Sequence, residues 1–448
     1  MSQQTMTDAP GLMDRLLGHS TFEPDEPRTL EQAGLNEALV DAFICKQVKV
    51  LGSACGRALA EHLCLPFGIL EERFQRLRSR QILTHKGSAP LNDYIYTLTE
   101  EGREHAQRLH AASAYVGPAP VPLADYINAV EAQTITAESP QKEQLEAAFQ
   151  DISINTAMFN RLGPAINSGA GLFLYGPPGN GKTTLAERIT LCFGQEIWLP
   201  RVLIVDDEII KLYDPAYHKD VPVSQNMIFR QQSHDQRWTK IRRPTVIVGG
   251  ELTMDCLEIR HDPRSNISEA PLQMKSNNGS LLIDDFGRQR LDPVELLNRW
   301  IVPLERRFDF LTLASGKKIQ VPFDQLILFS TNLEPTDLAD EAFLRRIPYK
   351  INVPDPDEEE FHRLFEIYAP TIGCDYNPEA VDHLLKQHYR PTGRPLRRCH
   401  PRDLLLQTRN YCRYVGCEVE MKAETFDLVV ENYFTVVGNQ CKTSSRQI

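Results

Sequence analysis

The run of residues 176–183, GPPGNGKT, constrains the fold of this chain more than any other segment. It matches the pattern G-x-x-x-x-G-K-[ST], follows the apolar run 172–175 and leads into a helix-like segment, 184–189. A strand, a glycine-rich loop and a helix in this order form a phosphate-binding loop, whose backbone N–H groups surround the phosphates. The sequence therefore predicts an α/β protein with a parallel sheet that binds a nucleotide.

The residues expected to contact the nucleotide are consecutive: Gly176, Pro177, Pro178, Gly179, Asn180, Gly181, Lys182, Thr183 and Thr184. We expect Lys182 to reach the β- and γ-phosphates and the Thr183 hydroxyl to bind Mg²⁺. ATP is favoured over GTP because the guanine-reading pattern Asn-Lys-x-Asp does not occur in the sequence. The predicted cofactors are therefore ATP and Mg²⁺.

Two later segments predict the rest of the site. The apolar run 280–283 ends in Asp284 and Asp285, and the apolar run 325–330 precedes Asn332. A phosphate-binding loop needs one acid that holds magnesium and a neighbour that orients the attacking water, so we assign magnesium to Asp284 and water activation to Asp285. Asn332 could contact the γ-phosphate or the water, whereas an Asn that only caps a turn is the alternative.

The order of these motifs resembles that of the AAA+ ATPases over roughly residues 124–434, with Walker A at 176–183, Walker B at 281–285 and sensor 1 at Asn332. The resemblance implies an arginine finger at Arg346, with Arg345 as the alternative, and a sensor 2 arginine at Arg402. In this family the finger enters the site of the neighbouring subunit. The resemblance therefore implies a homo-oligomeric ring.

The run 308–321, with a turn at Ser315 and Gly316, follows a predicted helix at 294–306 and resembles the hairpin before sensor 1 in MoxR-type, helicase and protease-associated members. The GAFTGA loop of related transcription activators is absent, which argues against such an activator. Most members have Glu where this chain has Asp285, and a carboxylate one methylene shorter predicts a displaced water or slow turnover.

The stretch 194–278 is longer than the family minimum between the Walker motifs. It contains strand-like runs at 198–205 and 245–248 and an aromatic cluster at 212–218. Tyr213 or Tyr217 could line a central pore, as aromatic loops do in the family. Packing inside an ordinary insertion is the alternative.

The sequence of the N-terminal segment predicts a winged helix. Three helices are expected: one at 35–50, one that follows the N-cap Ser53 and one that begins at Pro66. Two strands follow at 81–85 and 93–98, with Lys86 at the wing tip. The third helix carries a basic stripe, Arg73, Arg76 and Arg80, on the side that would enter a DNA groove. Between residues 31 and 112, however, ten basic residues are balanced by ten acidic ones. Duplex DNA and a protein client both remain open as partners.

Composition sets the remaining expectations. The net charge of -11 shows no whole-chain basic signature, and no apolar run approaches the roughly 18 residues of a membrane span. The lack of such a run predicts no membrane partner. Ten cysteines without a C-x-x-C pair predict reduced thiols in a cytoplasm. Cys399, Cys412 and Cys417, with His400, match no familiar zinc spacing, so scattered core cysteines are the favoured interpretation.

The predicted domains are a disordered tail at 1–33, a winged helix at 34–112, a Pro-rich linker at 113–123, an AAA+ core at 124–354, a helical lid at 355–434 and a tail at 435–448. The functional hypothesis is an ATPase that remodels a protein or nucleic-acid client recruited by the winged helix. The alternative is an ATP-dependent DNA-binding switch or loader with slow hydrolysis.

Overall fold

A computed structural model describes residues 22–137, 140–149, 156–194, 196–221, 234–338 and 341–434. The predicted C-terminal tail and most of the predicted N-terminal tail lie outside these ranges. Residues 22–33 lie inside them and pack on the protein, with the Phe22 ring 5.7 Å from that of Trp238. The predicted tail therefore ends earlier than residue 33.

The helices follow one another along the chain, and we number them in that order. They are α1 Glu37–Leu51, α2 Gly56–Leu63, α3 Phe67–Ser79, α4 Glu100–Ala112, α5 Leu123–Ala132, α6 Lys142–Ala148, α7 Thr156–Asn167, α8 Lys182–Thr190, α9 Leu272–Lys275, α10 Pro293–Arg299, α11 Ile301–Arg306, α12 Pro335–Leu338, α13 Glu341–Leu344, α14 Glu358–Ile372, α15 Pro378–Leu384, α16 Cys399–Val415 and α17 Ala423–Phe434. A π-helical turn, Leu385–Tyr389, continues α15. Among the described residues, none of these helices combines the length and apolar character needed to cross a membrane.

The strands are numbered in the same way. They are β1 Ser53–Cys55, β2 Leu83–Ala89, β3 Asp93–Leu98, β4 Val121–Pro122, β5 Leu172–Tyr175, β6 Glu196–Pro200, β7 Val202–Val205, β8 Glu208–Lys211, β9 Trp238–Arg242, β10 Thr245–Val248, β11 Arg260–Asp262, β12 Ile267–Glu269, β13 Ser280–Ile283, β14 Phe308–Thr312, β15 Lys318–Pro322, β16 Leu326–Thr331 and β17 Tyr349–Asn352.

The central element is a five-stranded parallel sheet in the order β10-β13-β16-β5-β17. Its inner strands are almost wholly buried, as parallel strands between two helical layers must be. One apolar core joins the sheet to α6–α8 and a second joins it to α10–α13. The predicted fold class, an α/β protein with a parallel sheet, is confirmed.

The N-terminal segment consists of α1–α4 and a three-stranded antiparallel sheet in the order β1-β3-β2. Two local expectations were wrong. Ser53 starts strand β1, opposite Thr97, and does not cap a helix. Lys86 lies within β2, and the turn of the hairpin is at residues 90–92, because a bulge between His85 and Gly87 lengthens the strand.

The predicted basic stripe on α3 is not a free surface. Arg73 is only 4% exposed, and its Nε and Nη2 donate to the two oxygens of Asp41 on α1 at 2.9 and 2.8 Å. Arg76 pairs with Glu37, which also lies 2.6 Å from Arg73. Arg73 therefore fastens α3 to α1, since a buried guanidinium requires a carboxylate partner. Arg76 and Arg80, which lies 3.8 Å from Asp41, are more than half exposed.

The long insertion forms a structure of its own, which we call the β insert: strands β6–β9, β11 and β12. β11, β12, β8 and β7 belong to one sheet, while β6 and β9 form a two-stranded ribbon. The predicted run 198–205 is therefore two strands, which separate at Arg201. Tyr213 packs against the core of the β insert and Tyr217 against the central sheet, which favours packing over a pore-lining role.

The segment predicted as a Pro-rich spacer is bound on both sides. Ala119 donates its backbone N–H to Leu63 of the N-terminal segment at 2.8 Å. Val121 then pairs with Leu203, so that β4 becomes the edge strand of the β-insert sheet. Val202 and Ile209 of the β insert also join the apolar core of the N-terminal segment. Proline stiffens an isolated chain, but these backbone contacts attach the segment to its neighbours.

The predicted hairpin is present as β14 and β15, which pair antiparallel around Gly316 at φ +83°. The helix before it is broken into α10 and α11 at the fully buried Trp300. The inner face of the hairpin lies in the β-insert core. Helices α14–α17 with the π turn pack around buried aromatic side chains and form the helical segment expected as a lid.

The Arg73–Asp41 pair generates a prediction about stability. Asp41→Ala leaves a buried guanidinium without its main partner and should lower the free energy of local unfolding of the N-terminal segment by about 3–5 kcal/mol. Hydrogen exchange of α1 and α3 measures this, and Glu72→Ala, at an exposed position of α3, should leave it unchanged. Replacing both partners, as Asp41→Leu with Arg73→Met, should recover most of the loss. Unchanged exchange in Asp41→Ala would contradict this account.

Candidate nucleotide-binding site

The site lies where three neighbouring strands end. β16 pairs in parallel with both β13 and β5, and the registers align Ile283 with Phe329 and Tyr175 with Thr331. The glycine-rich loop follows β5, the two aspartates follow β13, and Asn332 follows β16. Because the carboxyl ends of parallel strands meet at one edge, segments more than 100 residues apart come together there.

The loop between β5 and α8 has a backbone that only glycine adopts easily. Gly176, Gly179 and Gly181 have φ values of +134°, +81° and +79°. A Cβ atom on Gly176 would lie 2.6 Å from the carbonyl oxygen of Val353, and one on Gly179 would lie 2.6 Å from Sγ of Cys399. Glycine is thus required here both by conformation and by the close approach of the neighbouring segments.

Lys182 is the first residue of α8 and is 6% exposed. Its ammonium donates to the carbonyl oxygens of Gly176 and Pro177, each at 3.0 Å, and to Oδ1 of Asn332 at 2.7 Å. Burial lowers the pKa of Lys182, while Asp284 and Asp285 oppose that shift. A desolvated ammonium at a loop of this shape is suited to a phosphate group.

The two aspartates have different surroundings. Oδ2 of Asp284 accepts from the Thr183 hydroxyl at 2.9 Å, which makes a pair of hard oxygen ligands of the kind Mg²⁺ prefers. Asp285 has φ +49°, in the left-handed region, and its Oδ1 accepts from Nδ2 of Asn332 at 3.2 Å. Asn332 therefore touches both the lysine and the second aspartate.

The helical segment 358–434 reaches the loop directly. The backbone N–H of Cys399 donates to Gly179 O at 2.9 Å, and that of Arg398 donates to Oδ1 of Asn180 at 3.2 Å. Nδ2 of Asn180 donates to Asp355 at 2.7 Å. These bonds connect the first turn of α16 to the glycine-rich loop.

A cavity of about 210 Å³ lies between the loop and this helical segment. Its wall includes Thr184 and Arg402 among the predicted site residues, together with the unpredicted Tyr368 and Met158. Arg402 is exposed and donates to the neighbouring Asp403 at 3.1 Å, whereas Arg398 is held by Glu360. Mixed apolar and cationic walls of this kind suit a nucleoside with its phosphates.

The predicted finger residues lie in the turn after α13. Arg346 is mostly buried, and its Nε donates to Glu305 at 2.6 Å. The side chain of Arg345 is exposed. Pro178, in the phosphate-binding loop, is also exposed. The predicted site residues are thus brought to one edge of the sheet, except the two finger arginines, which stand apart on their own turn.

Sequence reasoning missed several supporting residues. Gln289 donates to the carbonyl oxygen of Asp284 at 2.9 Å and accepts from Gly287 N at 2.8 Å, which fixes the turn after β13. Asp355 and Cys399 anchor the helical segment to the loop. None belongs to a recurring pattern, so only tertiary contacts reveal them.

Comparison with known proteins gives limited likenesses. A family described as "Domain of unknown function (DUF8689)" matches residues 357–432, which is the helical segment from α14 to α17. None of the curated proteins matches the sequence.

Among solved structures, NtrX from Brucella abortus in complex with ADP is 15% identical, with a TM-score of 0.39 over 63% of this chain and 56% of NtrX. The complex of NtrX with ATP gives the same identity and TM-score over 64% of this chain and 58% of NtrX. A RuvB mutant from Thermotoga maritima is 13% identical, with a TM-score of 0.34 over 67% and 72%. This chain thus spans little more than half of NtrX. With TM-scores this low, its function has to be argued from its own residues.

His400, beside Cys399, generates a prediction about pH. Its Nδ1 accepts from the Tyr389 hydroxyl at 2.9 Å, and burial lowers the pKa of His400 to about 4. Below the usual histidine pKa of about 6.5, the unfolded chain therefore binds a proton that the folded chain does not. The stability that neutral His400 provides should be complete above pH 6.5 and fall as the pH drops toward 4.

The measurement is the unfolding midpoint of α14–α17 at several pH values between 4 and 7, monitored by hydrogen exchange. His400→Gln keeps an acceptor for Tyr389 but cannot titrate, so its midpoint should depend less steeply on pH than that of the natural protein. Equal slopes in the two proteins would show that His400 does not bind protons differently in the two states.

Proposed function

We propose that this chain is a Mg²⁺-dependent AAA+ ATPase. The observation that carries the proposal is the hydrogen-bonded set Lys182, Thr183, Asp284, Asp285 and Asn332 at the carboxyl edge of adjacent parallel strands. Chemistry on a phosphoanhydride needs positioned positive charge, a metal site and an oriented water. This one cluster offers groups for all three, and the cavity beside it has room for the rest of the nucleotide.

Each residue has a definite task in this proposal. Backbone N–H groups of the glycine-rich loop and the Lys182 ammonium bind the phosphates, and Thr183 and Asp284 bind Mg²⁺. The ion would neutralise phosphate charge. Asp285 accepts the proton of the attacking water, and Asn332 holds that carboxylate in place. Because ATP would compete with Asn332 for the lysine, nucleotide binding would free Asn332 to act on Asp285 and the water.

The helical segment, in this proposal, is the lid that responds to the nucleotide. The bonds of Cys399 and Arg398 to the loop, and the position of Arg402 in the cavity wall, support a lid whose angle depends on the phosphates. A change in the phosphates would then move α16, and α16 would carry with it the other helices that share its apolar core. We infer that hydrolysis drives a shape change that an oligomer transmits to its client.

The N-terminal segment, which we interpret as a winged helix, would recruit that client. The burial of Arg73 against carboxylates on α1 favours a protein client over duplex DNA, because that guanidinium group is not available to phosphates and Arg76 is already paired with Glu37. The competing function is a DNA-bound switch with slow hydrolysis, and the short carboxylate of Asp285 is the observation in its favour.

The first test is steady-state ATP turnover at low salt, with and without duplex DNA. Lys182→Ala should lose at least about 100-fold in turnover, because the phosphates lose their buried cation. Asp285→Asn should slow turnover by about 10²–10⁴-fold while ATP still binds, because it removes a proton acceptor and keeps the shape. The exposed Arg264→Ala, on the β insert, is the control that should match the natural protein.

We expect duplex DNA to leave turnover unchanged, since the proposal gives the N-terminal segment a protein client. Turnover that rises with DNA would overturn that choice of client but leave the ATPase intact. If the natural protein turns over ATP no faster than Lys182→Ala with or without DNA, the ATPase proposal is overturned and the DNA-bound switch is the remaining function.

A second prediction concerns the finger. Arg345 is exposed while Arg346 is held by Glu305, so we propose that Arg345 is the residue that reaches a neighbouring subunit. Arg345→Ala should reduce turnover by ~10³-fold without weakening ATP binding. Arg346→Ala should act mainly on stability.

Mixing variants tests whether the finger acts between subunits. Arg345→Ala subunits have intact nucleotide sites, and Lys182→Ala subunits have intact fingers. A mixture should therefore recover measurable turnover at the interfaces where one completes the other. Recovery with Arg346→Ala in place of Arg345→Ala would reverse the assignment, and no recovery with either would contradict action between subunits.

A further inference from the structure

Two histidines and an aspartate of the helical segment meet where α15 and its π turn lie next to α17. Nε2 of His383 lies 3.0 Å from Oδ1 of Asp427, and Nε2 of His388 lies 2.5 Å from the same oxygen. The possible ligand atoms of all three residues lie within 4.8 Å of one another. No other trio of potential metal ligands in the described part of the chain is as close, and Cys399, Cys412 and Cys417 do not form one.

The backbone explains how the histidines face the same way. In a regular α-helix, residues five apart point about 140° away from each other. Here the π turn Leu385–Tyr389 follows His383, and its wide hydrogen bond joins Arg390 N to Leu385 O at 2.9 Å. The extra residue gives His383 and His388 the relation that residues four apart have in an α-helix, the spacing of paired histidine ligands.

The third ligand comes from a different helix. Asp427 lies on α17, and its carboxylate reaches between the two imidazoles. The three side chains are 31%, 22% and 45% exposed, so the cluster is partly shielded yet open to solvent on one side. Solvent access leaves room for a water as a fourth ligand.

We propose that His383, His388 and Asp427 bind a Zn²⁺-like transition-metal ion. Two imidazole nitrogens and one carboxylate select such an ion over Mg²⁺ or Ca²⁺, which prefer oxygen ligands. The histidine–aspartate separations of 2.5–3.2 Å are near the roughly 3.3 Å edge of a tetrahedral site with bonds of 2.0–2.1 Å, and the ligand atoms of the two histidines lie within 4.8 Å of each other.

The bound ion would tie the π turn to α17. Tyr389 belongs to the same turn, packs against Phe434 of α17 and donates to His400 at the start of α16. The ion therefore acts as a structural tie across three elements of the helical segment. This inference does not depend on the proposed ATPase, because none of the three ligands lies in the nucleotide site.

The test uses the full chain, treated with chelator and free of nucleotide, titrated with ZnCl₂ in a calorimeter. The natural protein should bind one equivalent saturably. His388→Gln and the isosteric Asp427→Asn should each weaken binding at least about tenfold. His362→Gln is the matched control, because His362 also pairs with a tyrosine and an aspartate in this helical segment but lies outside the trio.

Two further readouts keep the result clear if a variant folds poorly. Zn²⁺ at 100 times its Kd should raise the unfolding midpoint of α14–α17 in the natural protein and in His362→Gln only. Co²⁺ bound to the natural protein should give visible ligand-field absorption without a thiolate charge-transfer band. A thiolate charge-transfer band would show that the ion binds to cysteines, such as Cys412 and Cys417, and would contradict the proposed ligands. Absence of saturable binding, or undiminished binding in both ligand variants, would overturn the proposal.

Discussion

Parallel pairing of three strands is the constraint on which the candidate site depends. Each strand ends in polar residues, and only parallel alignment in adjacent positions brings Lys182 to Asn332 and Thr183 to Asp284 within hydrogen-bonding distance. The strands themselves must be buried on both faces, so the helices that cover them are required as well. Burial of the sheet and assembly of the site are therefore one event, and a change that separates β13 from β16 would remove both.

The same edge of the sheet is also where the helical segment attaches. The backbone N–H groups of Cys399 and Arg398 donate to Gly179 O and to Oδ1 of Asn180, and these two bonds connect α16 to the glycine-rich loop. Behind them lie a buried neutral histidine, the π turn and the proposed metal cluster. In the two proposals, nucleotide phosphates, the protonation of His400 and a metal ion would all act on this one helical segment.

Local sequence predicted the parts of the molecule that local physics determines. β5 and β13 have the predicted bounds, because an apolar run that ends in glycine or aspartate has few alternatives to a buried strand. The order of helices and strands in the N-terminal segment and the hairpin around Gly316 also follow from short-range patterns. The positions of Ser53 and Lys86 could not be predicted from such patterns, because both residues lie in strands that pair with a more distant segment.

By itself, the sequence determined the fold class and the glycine-rich loop between β5 and α8, since glycine, lysine and apolar periodicity have few other uses in that order. Tertiary structure alone decided which arginines are free: Arg73 is buried against Asp41, and Arg346 is held by Glu305, while Arg345 is exposed. It also turned a predicted spacer into the edge strand β4. A π turn brought together two histidines that α-helical spacing would place apart. The physical reason is that long-range pairing and burial assign partners which no short window of residues contains.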